Sequence, residues 1–164
     1  MFSFLQKNKE ISVFAPVNGI VKGIEEVNDP VFSEKMMGEG IAVQYTDGDV
    51  YAPVSGEITT VIQPSCHAFG MRTEDGLELL VHVGLETVNL KEKAFRQLKQ
   101  QGDHVSAGEK ILCVDGNALA GRDIDMITPI IITNTAEFKI EKKADCGSSS
   151  VCTETLLMCC TKKK

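Results

Sequence analysis

Ala15-Pro16-Val17-Asn18-Gly19 returns, thirty-seven residues later, as Ala52-Pro53-Val54-Ser55-Gly56. Four of the five positions are identical, and each copy runs into an alternating stretch, Ile20-Val21-Lys22-Gly23-Ile24 and Glu57-Ile58-Thr59-Thr60-Val61-Ile62. Proline keeps the head of each copy off a central ladder position, and glycine allows a sharp turn into a strand. The pattern predicts a duplicated β unit, with too few copies for a solenoid. Further short apolar or alternating runs at residues 41–45, 77–83, 110–114 and 129–133 also read as strands. Turn signals at residues 46–49, 73–76 and 107–109 separate them. Together they predict an all-β fold, an antiparallel sandwich or a barrel–sandwich hybrid. Helix is minor. One is expected over residues 91–101, from the spacing of Leu90, Ala94, Phe95 and Leu98 with Gly102 as the stop. A single turn is expected over residues 33–37 with Ser33 as its cap.

The chain has 164 residues, which suits one domain. A chain near this size can bury about 70% of the surface that its unfolded form exposes. Trp is absent, so the core rests on aliphatic side chains and seven Phe. Seventeen basic and twenty-three acidic residues give a net charge of −6. That argues against nucleic acid, which requires a basic face, and suits a partner with a positive surface. The apolar run at the N-terminus is too short for a signal peptide, and no stretch of eighteen apolar residues occurs, so no membrane span and a cytoplasmic location are expected. The expected organisation is a short arm at 1–12, a domain at 13–145 and a Cys/Ser-rich tail at 146–164. In the tail, residues 151–160 read as a final strand. Four of the six cysteines (Cys146, Cys152, Cys159 and Cys160) crowd this tail. No CxxC pair occurs, so they are read as thiols without a catalytic role.

Two of the three histidines, His67 and His82, flank a second informative stretch. Asp75-Gly76 is a strong hairpin signal. A two- or four-residue loop there puts Phe69 opposite His82 and His67 opposite Gly84. Opposite residues share a face, so His67, Phe69 and Met71 are expected beside Leu80, His82 and Gly84, with the histidines as diagonal neighbours. Leu77, Leu79, Val81 and Val83 are left to the core. Two close imidazoles resist joint protonation, so at least one stays neutral near pH 7. Gly84 places no side chain beside His82.

Three chemistries compete for this pair. Nucleophilic hydrolysis lacks a signature, because no G-x-S-x-G is present and Cys66 faces away from its neighbour His67. A catalytic metal needs a third ligand, for which Glu86 and His104 are the candidates. A histidine phosphoryl carrier needs only an accessible neutral imidazole, a helping group and a docking surface.

At these residues the sequence resembles the glucose-type IIA component of the bacterial phosphoenolpyruvate-dependent sugar phosphotransferase system. The resemblance runs from about Val13 to Thr135. It is densest at Phe14-Ala-Pro-Val-Asn-Gly19, residues 29–42, Ala52-Pro-Val-Ser-Gly56, Cys66-His-Ala-Phe69, residues 76–88 and Thr128-Pro-Ile-Ile-Ile-Thr-Asn134. It implies an antiparallel β sandwich. It implies that His82 carries the phosphoryl group on Nε2, that His67 supports transfer, and that a backbone carbonyl orients the Nδ1 proton of the carrier. Ser65 stands where the family usually has Thr, and is carried over as a supporting residue. The implied donor is the phosphocarrier HPr, and the implied acceptor is a cysteine on the IIB domain of a sugar permease, which gives peripheral contact with the membrane. Phe32, Met36, Phe69 and Met71 are the docking candidates, whereas Val31 and Met37 read as core. No cofactor is implied, although some members bind a regulatory zinc between the two histidines and a partner's carboxylate. The alternative is a regulatory binding module whose unphosphorylated face sequesters partners.

Overall fold

The computed structural model describes residues 8–90 and 93–164. Its strands are β1 (Glu10–Phe14), β2 (Gly19–Gly23), β3 (Glu39–Tyr45), β4 (Val50–Tyr51), β5 (Gly56–Val61), β6 (Ala68–Arg72) and β7 (Glu78–His82). They continue with β8 (Phe95–Gln97), β9 (His104–Val105), β10 (Lys110–Val114), β11 (Ile127–Ile132), β12 (Phe138–Lys143), β13 (Ser149–Ser150) and β14 (Leu156–Lys162). Among the described residues helix is confined to α1 (Pro30–Ser33), α2 (Gly116–Leu119) and two 3-10 turns at Ile24–Glu26 and Thr87–Asn89.

Eight strands form one antiparallel sheet in the order β13-β2-β3-β11-β7-β6-β5-β9. Two three-stranded sheets, β1-β14-β12 and β4-β10-β8, pack on one of its faces. The three sheets share a core containing Val13, Val43, Phe69, Met71, Val81, Leu112, Ile130, Phe138 and Met158. This is the expected antiparallel sandwich, without a closed barrel. A second, smaller core covers part of the other face, where Ile24, Val27 and Phe32 lie over Ala42, Leu85, Ile127 and Ile131. Every residue of β11 is therefore buried, because both of its faces are covered.

The repeated pentapeptides are related by a local twofold. The residue before each copy donates to the proline carbonyl of the other: Phe14 N–H to Pro53 O and Tyr51 N–H to Pro16 O, both at 2.9 Å. Their fourth residues match as well. The Asn18 side chain accepts from Cys152 N–H at 2.9 Å and Ser55 Oγ from Ala107 N–H at 2.9 Å. The strands that follow pair alike, with Val21 N–H donating to Ser148 O (2.9 Å) and Ile58 N–H to Asp103 O (2.8 Å). Each copy thus heads the second strand from one end of the large sheet. The final segment supplies β13, which lies at one end of that sheet, and β14, which lies between β1 and β12.

Two helical expectations are corrected. Lys91 and Glu92 lie outside the described residues, but beyond them the chain forms β8, not helix. Ala94 and Phe95 are both buried, and Leu98 N–H is taken by Ile111 O at 2.8 Å beside the β8–β10 ladder. Tertiary pairing overrides the helical spacing. The turn expected over residues 33–37 forms earlier, as α1, with Asp29 as its cap and Pro30 in its first turn. Asp29 Oδ1 accepts from Val31 N–H at 3.0 Å.

Candidate active site

The β6–β7 hairpin decides what surrounds the histidines. Thr73 N–H donates to Leu77 O at 2.9 Å and Leu77 N–H to Thr73 Oγ1 at 3.1 Å, which leaves the three-residue loop Glu74-Asp75-Gly76. Gly76 closes it at φ 94°, the left-handed position that such loops use. The register is therefore one residue away from the expected one: Ala68 pairs with His82, Phe69 with Val81 and Met71 with Leu79. A slip of one residue exchanges the faces of a strand. Phe69 and Met71 consequently point into the core, 0% and 1% exposed, and are not docking residues. Leu77, Leu79, Val81 and Val83 are buried, as expected.

The histidines meet nonetheless. His67 lies just before β6, and Cys66 ahead of it is left-handed at φ 57°. That twist breaks the alternation of faces and returns the His67 ring to the side of His82. The ring centroids are 4.7 Å apart at 78°, an edge-to-face arrangement. Ala68, directly opposite His82, is small enough to leave room for the second ring. Phe32 packs on the other flank of His82, with centroids 5.1 Å apart.

Hydrogen bonds orient both rings. His82 Nδ1 lies 2.8 Å from Gly84 O. A carbonyl only accepts, so the proton sits on Nδ1 and Nε2 is bare. His67 Nδ1 is hydrogen-bonded to Ser65 Oγ. Burial, helped by the neighbouring His82 ring, pushes the His67 pKa down to about 4. Burial also lowers His82, against the opposing pull of the Gly84 carbonyl and the Asp29 carboxylate. Both rings are thus neutral near pH 7.

Gly84 is needed for a reason other than access. Its φ is 74°, and a Cβ there would lie 2.6 Å from Thr87 Cγ2 and 2.9 Å from Met126 Sδ, so the backbone and its packing both exclude a side chain. Among the docking candidates Met36 is 69% exposed, whereas Phe32 is buried at 3% and reaches the site as a wall against His82. Val31 and Met37, expected in the core, are 38% and 41% exposed. The earlier start of α1 turns Phe32 inward and its neighbours outward. Sequence reading gave no role to Asp29, which caps α1 and acts on His82 through its charge. Its signal was Asp-Pro at the head of a helical turn.

A cavity of about 730 Å³ opens beside Asp29 and Glu86, and its lining includes neither histidine. His67 is buried, 6% exposed, and His82 is half-buried, so of the two rings His82 is the more open to a partner. Among the described residues no three His, Cys, Asp or Glu side chains form a metal cluster. His104, one suggested third ligand, lies in β9 at the far edge of the sheet opposite Glu57. Cys66 Sγ is directed at Gln97 Oε1, 3.3 Å away. No helix among the described residues is long and apolar enough to cross a membrane.

Fold and site together define a β sandwich with a pair of neutral histidines in edge-to-face contact beside its large sheet. Residues 11–138 match the family described as phosphoenolpyruvate-dependent sugar phosphotransferase system, EIIA 1. The chain is 42% identical over 135 residues to the PTS system glucose-specific EIIA component of Bacillus cereus, covering 82% of this chain and 81% of the relative. It is 45% identical over 127 residues to the component of the same name from Oceanobacillus iheyensis, covering 77% and 76%. Among solved structures, the glucose permease IIA from Mycoplasma capricolum matches with a TM-score of 0.82 and 35% identity, covering 97% of this chain and 99% of that one. The chain belongs to the EIIA 1 family of the sugar phosphotransferase system, and is a phosphoryl-transfer component of that system.

Proposed function

We propose that His82 is the residue that carries the phosphoryl group, taking it from phospho-HPr on Nε2 and passing it to a IIB cysteine of a sugar permease. The observation that carries this reading is the Gly84 carbonyl at 2.8 Å from Nδ1, which leaves Nε2 as the nucleophile. In acceptance, the Nε2 lone pair forms the new N–P bond as the donor's N–P bond breaks, and the donor imidazole leaves. The proton stays on His82 Nδ1, hydrogen-bonded to Gly84 O. In delivery, a thiolate attacks phosphorus and the neutral His82 ring leaves.

His67 has a supporting role in this reading. With the Ser65 hydroxyl donating to its Nδ1, its proton sits on Nε2 and meets a phosphoryl oxygen. The low proton affinity of His67 keeps that contact a hydrogen bond rather than an ion pair, so the phosphoryl group is steadied and not trapped. Met36, with Val31 and Met37, forms the exposed apolar rim on which both partner proteins dock. The reading needs no cofactor and places the protein in the cytoplasm beside the permease.

Incubation with phosphoenolpyruvate, enzyme I and HPr tests it. An acid-labile mass gain of one phosphate is expected in wild type and none in His82→Ala. A wild-type protein that gains no phosphate would refute the reading.

A further inference from the structure

We infer that Thr87 is a positioning residue for His82: its buried hydroxyl and the carbonyl of Asp125 clamp the Val83-Gly84-Leu85 turn so that the Gly84 carbonyl always faces Nδ1. This inference rests on the reading of His82 as the carrier.

The Gly84–Leu85 peptide is one rigid plane whose C=O and N–H point in opposite directions. Its C=O receives the His82 Nδ1 proton at 2.8 Å. Its N–H donates to Asp125 O at 2.7 Å. The preceding peptide is held in the same manner, since Thr87 Oγ1 donates to Val83 O at 2.7 Å. Thr87 is 1% exposed although polar, and its methyl fills the space left by the missing Cβ of Gly84. The Asp125 carbonyl is steadied in turn, because Asp125 Oδ1 accepts from Ile127 N–H at 2.9 Å.

The chemical consequence follows from the tautomer. Neutral imidazole in water exchanges its proton between two nitrogens, and only the Nδ1–H form offers a bare Nε2. A free loop would let the Gly84 peptide rotate and the proton move to Nε2, which silences the nucleophile. One side chain, on the Thr87–Asn89 turn, and one backbone carbonyl, on the segment before β11, hold the two adjoining peptides. Holding the tautomer is what such a clamp accomplishes.

The test uses Thr87→Val, which keeps the shape and loses the hydroxyl, Thr87→Ser, which restores the hydroxyl, and Asp125→Ala, which removes the exposed cap. Imidazole 15N spectra of the unphosphorylated full chain report the tautomer directly, independently of any phosphoryl transfer. The Nδ1–H form is expected to dominate in wild type and Thr87→Ser, with a substantial Nε2–H population in Thr87→Val and a smaller one in Asp125→Ala. The rate of acceptance from phospho-HPr should fall about tenfold in Thr87→Val at unchanged KM. Should Thr87→Val not fold, the Asp125→Ala spectrum decides. Variants with the wild-type tautomer, or Thr87→Ser as impaired as Thr87→Val, would overturn the inference. Absence of phosphate on wild-type His82 would instead sink the carrier reading while leaving the tautomer result standing.

Discussion

The carbonyl of Gly84, two residues beyond His82 in the chain, accepts the Nδ1 proton of the His82 ring at 2.8 Å. The bond ties the state of the proposed nucleophile to a backbone conformation that only glycine adopts without strain at φ 74°. Gly84→Ala should therefore fail twice. The left-handed backbone and the crowding against Thr87 and Met126 predict a loss of about 2–4 kcal/mol. Denaturant unfolding measures it, and phosphate acceptance should fall even in the folded fraction. A stable, fully active Gly84→Ala would contradict both arguments.

His67→Gln is expected to separate the two half-reactions. In the proposed mechanism acceptance depends on Nε2 of His82 and should persist, whereas delivery to the IIB domain should slow by about a hundredfold for want of the imidazole proton. Rapid-quench kinetics of each step distinguish them. If acceptance is lost instead, His67 belongs to that step.

Stability should depend on pH in a defined direction. The ordinary histidine value is 6.5, and His67 is lowered to about 4, with His82 lowered as well. Between these values the unfolded chain binds protons that the folded protein refuses, so stability is fully present above pH 6.5 and falls as the pH drops toward 4. A second decline lies lower. Burial alone would raise Glu39, but the ammonium groups of Lys143 and Lys35 outweigh it and bring its pKa to about 2, so its contribution is lost from pH 4.5 downward. Urea midpoints from pH 7 to 4 should slope less steeply in His67→Gln than in wild type. Equal slopes would remove His67 as the cause.

The corrected register makes opposite forecasts for two methionines. Met36→Ser should leave stability within about 0.5 kcal/mol and raise the KM for phospho-HPr. Met71→Ser should cost about 2–5 kcal/mol, as core truncations do, whatever it does to transfer. Calorimetry and donor kinetics on the pair check this. A destabilised Met36→Ser would place that side chain in the core.

The longer central strands were legible because half-buried strands alternate and the repeated pentapeptide marks where two of them begin. The histidine pairing was legible only in outcome. The assumed loop length put Phe69 and Met71 on the wrong face, and the left-handed Cys66 cancelled the same error for His67. Neither feature is written in local hydropathy: the three-residue loop is set by Gly76 and the Thr73 side chain, and cysteine carries no usual preference for positive φ. The 91–101 helix failed because Ala94 and Phe95 serve a strand that exists only once β10 is beside it. Asp29 escaped because its role needs the distance to His82, which no spacing supplies.

The partnering of β1 with β14 has a consequence for how the protein is made. The first described strand leaves the ribosome before its partner, since among the described residues its only ladder is to β14. At about 5–20 residues per second, translation leaves it waiting on the order of 10 s. Pairing across nearly the whole chain also raises contact order, which slows folding. The nascent N-terminal half therefore carries an open edge until β14 emerges, and chains stalled or cut short before it should be the ones that aggregate or reach proteases first.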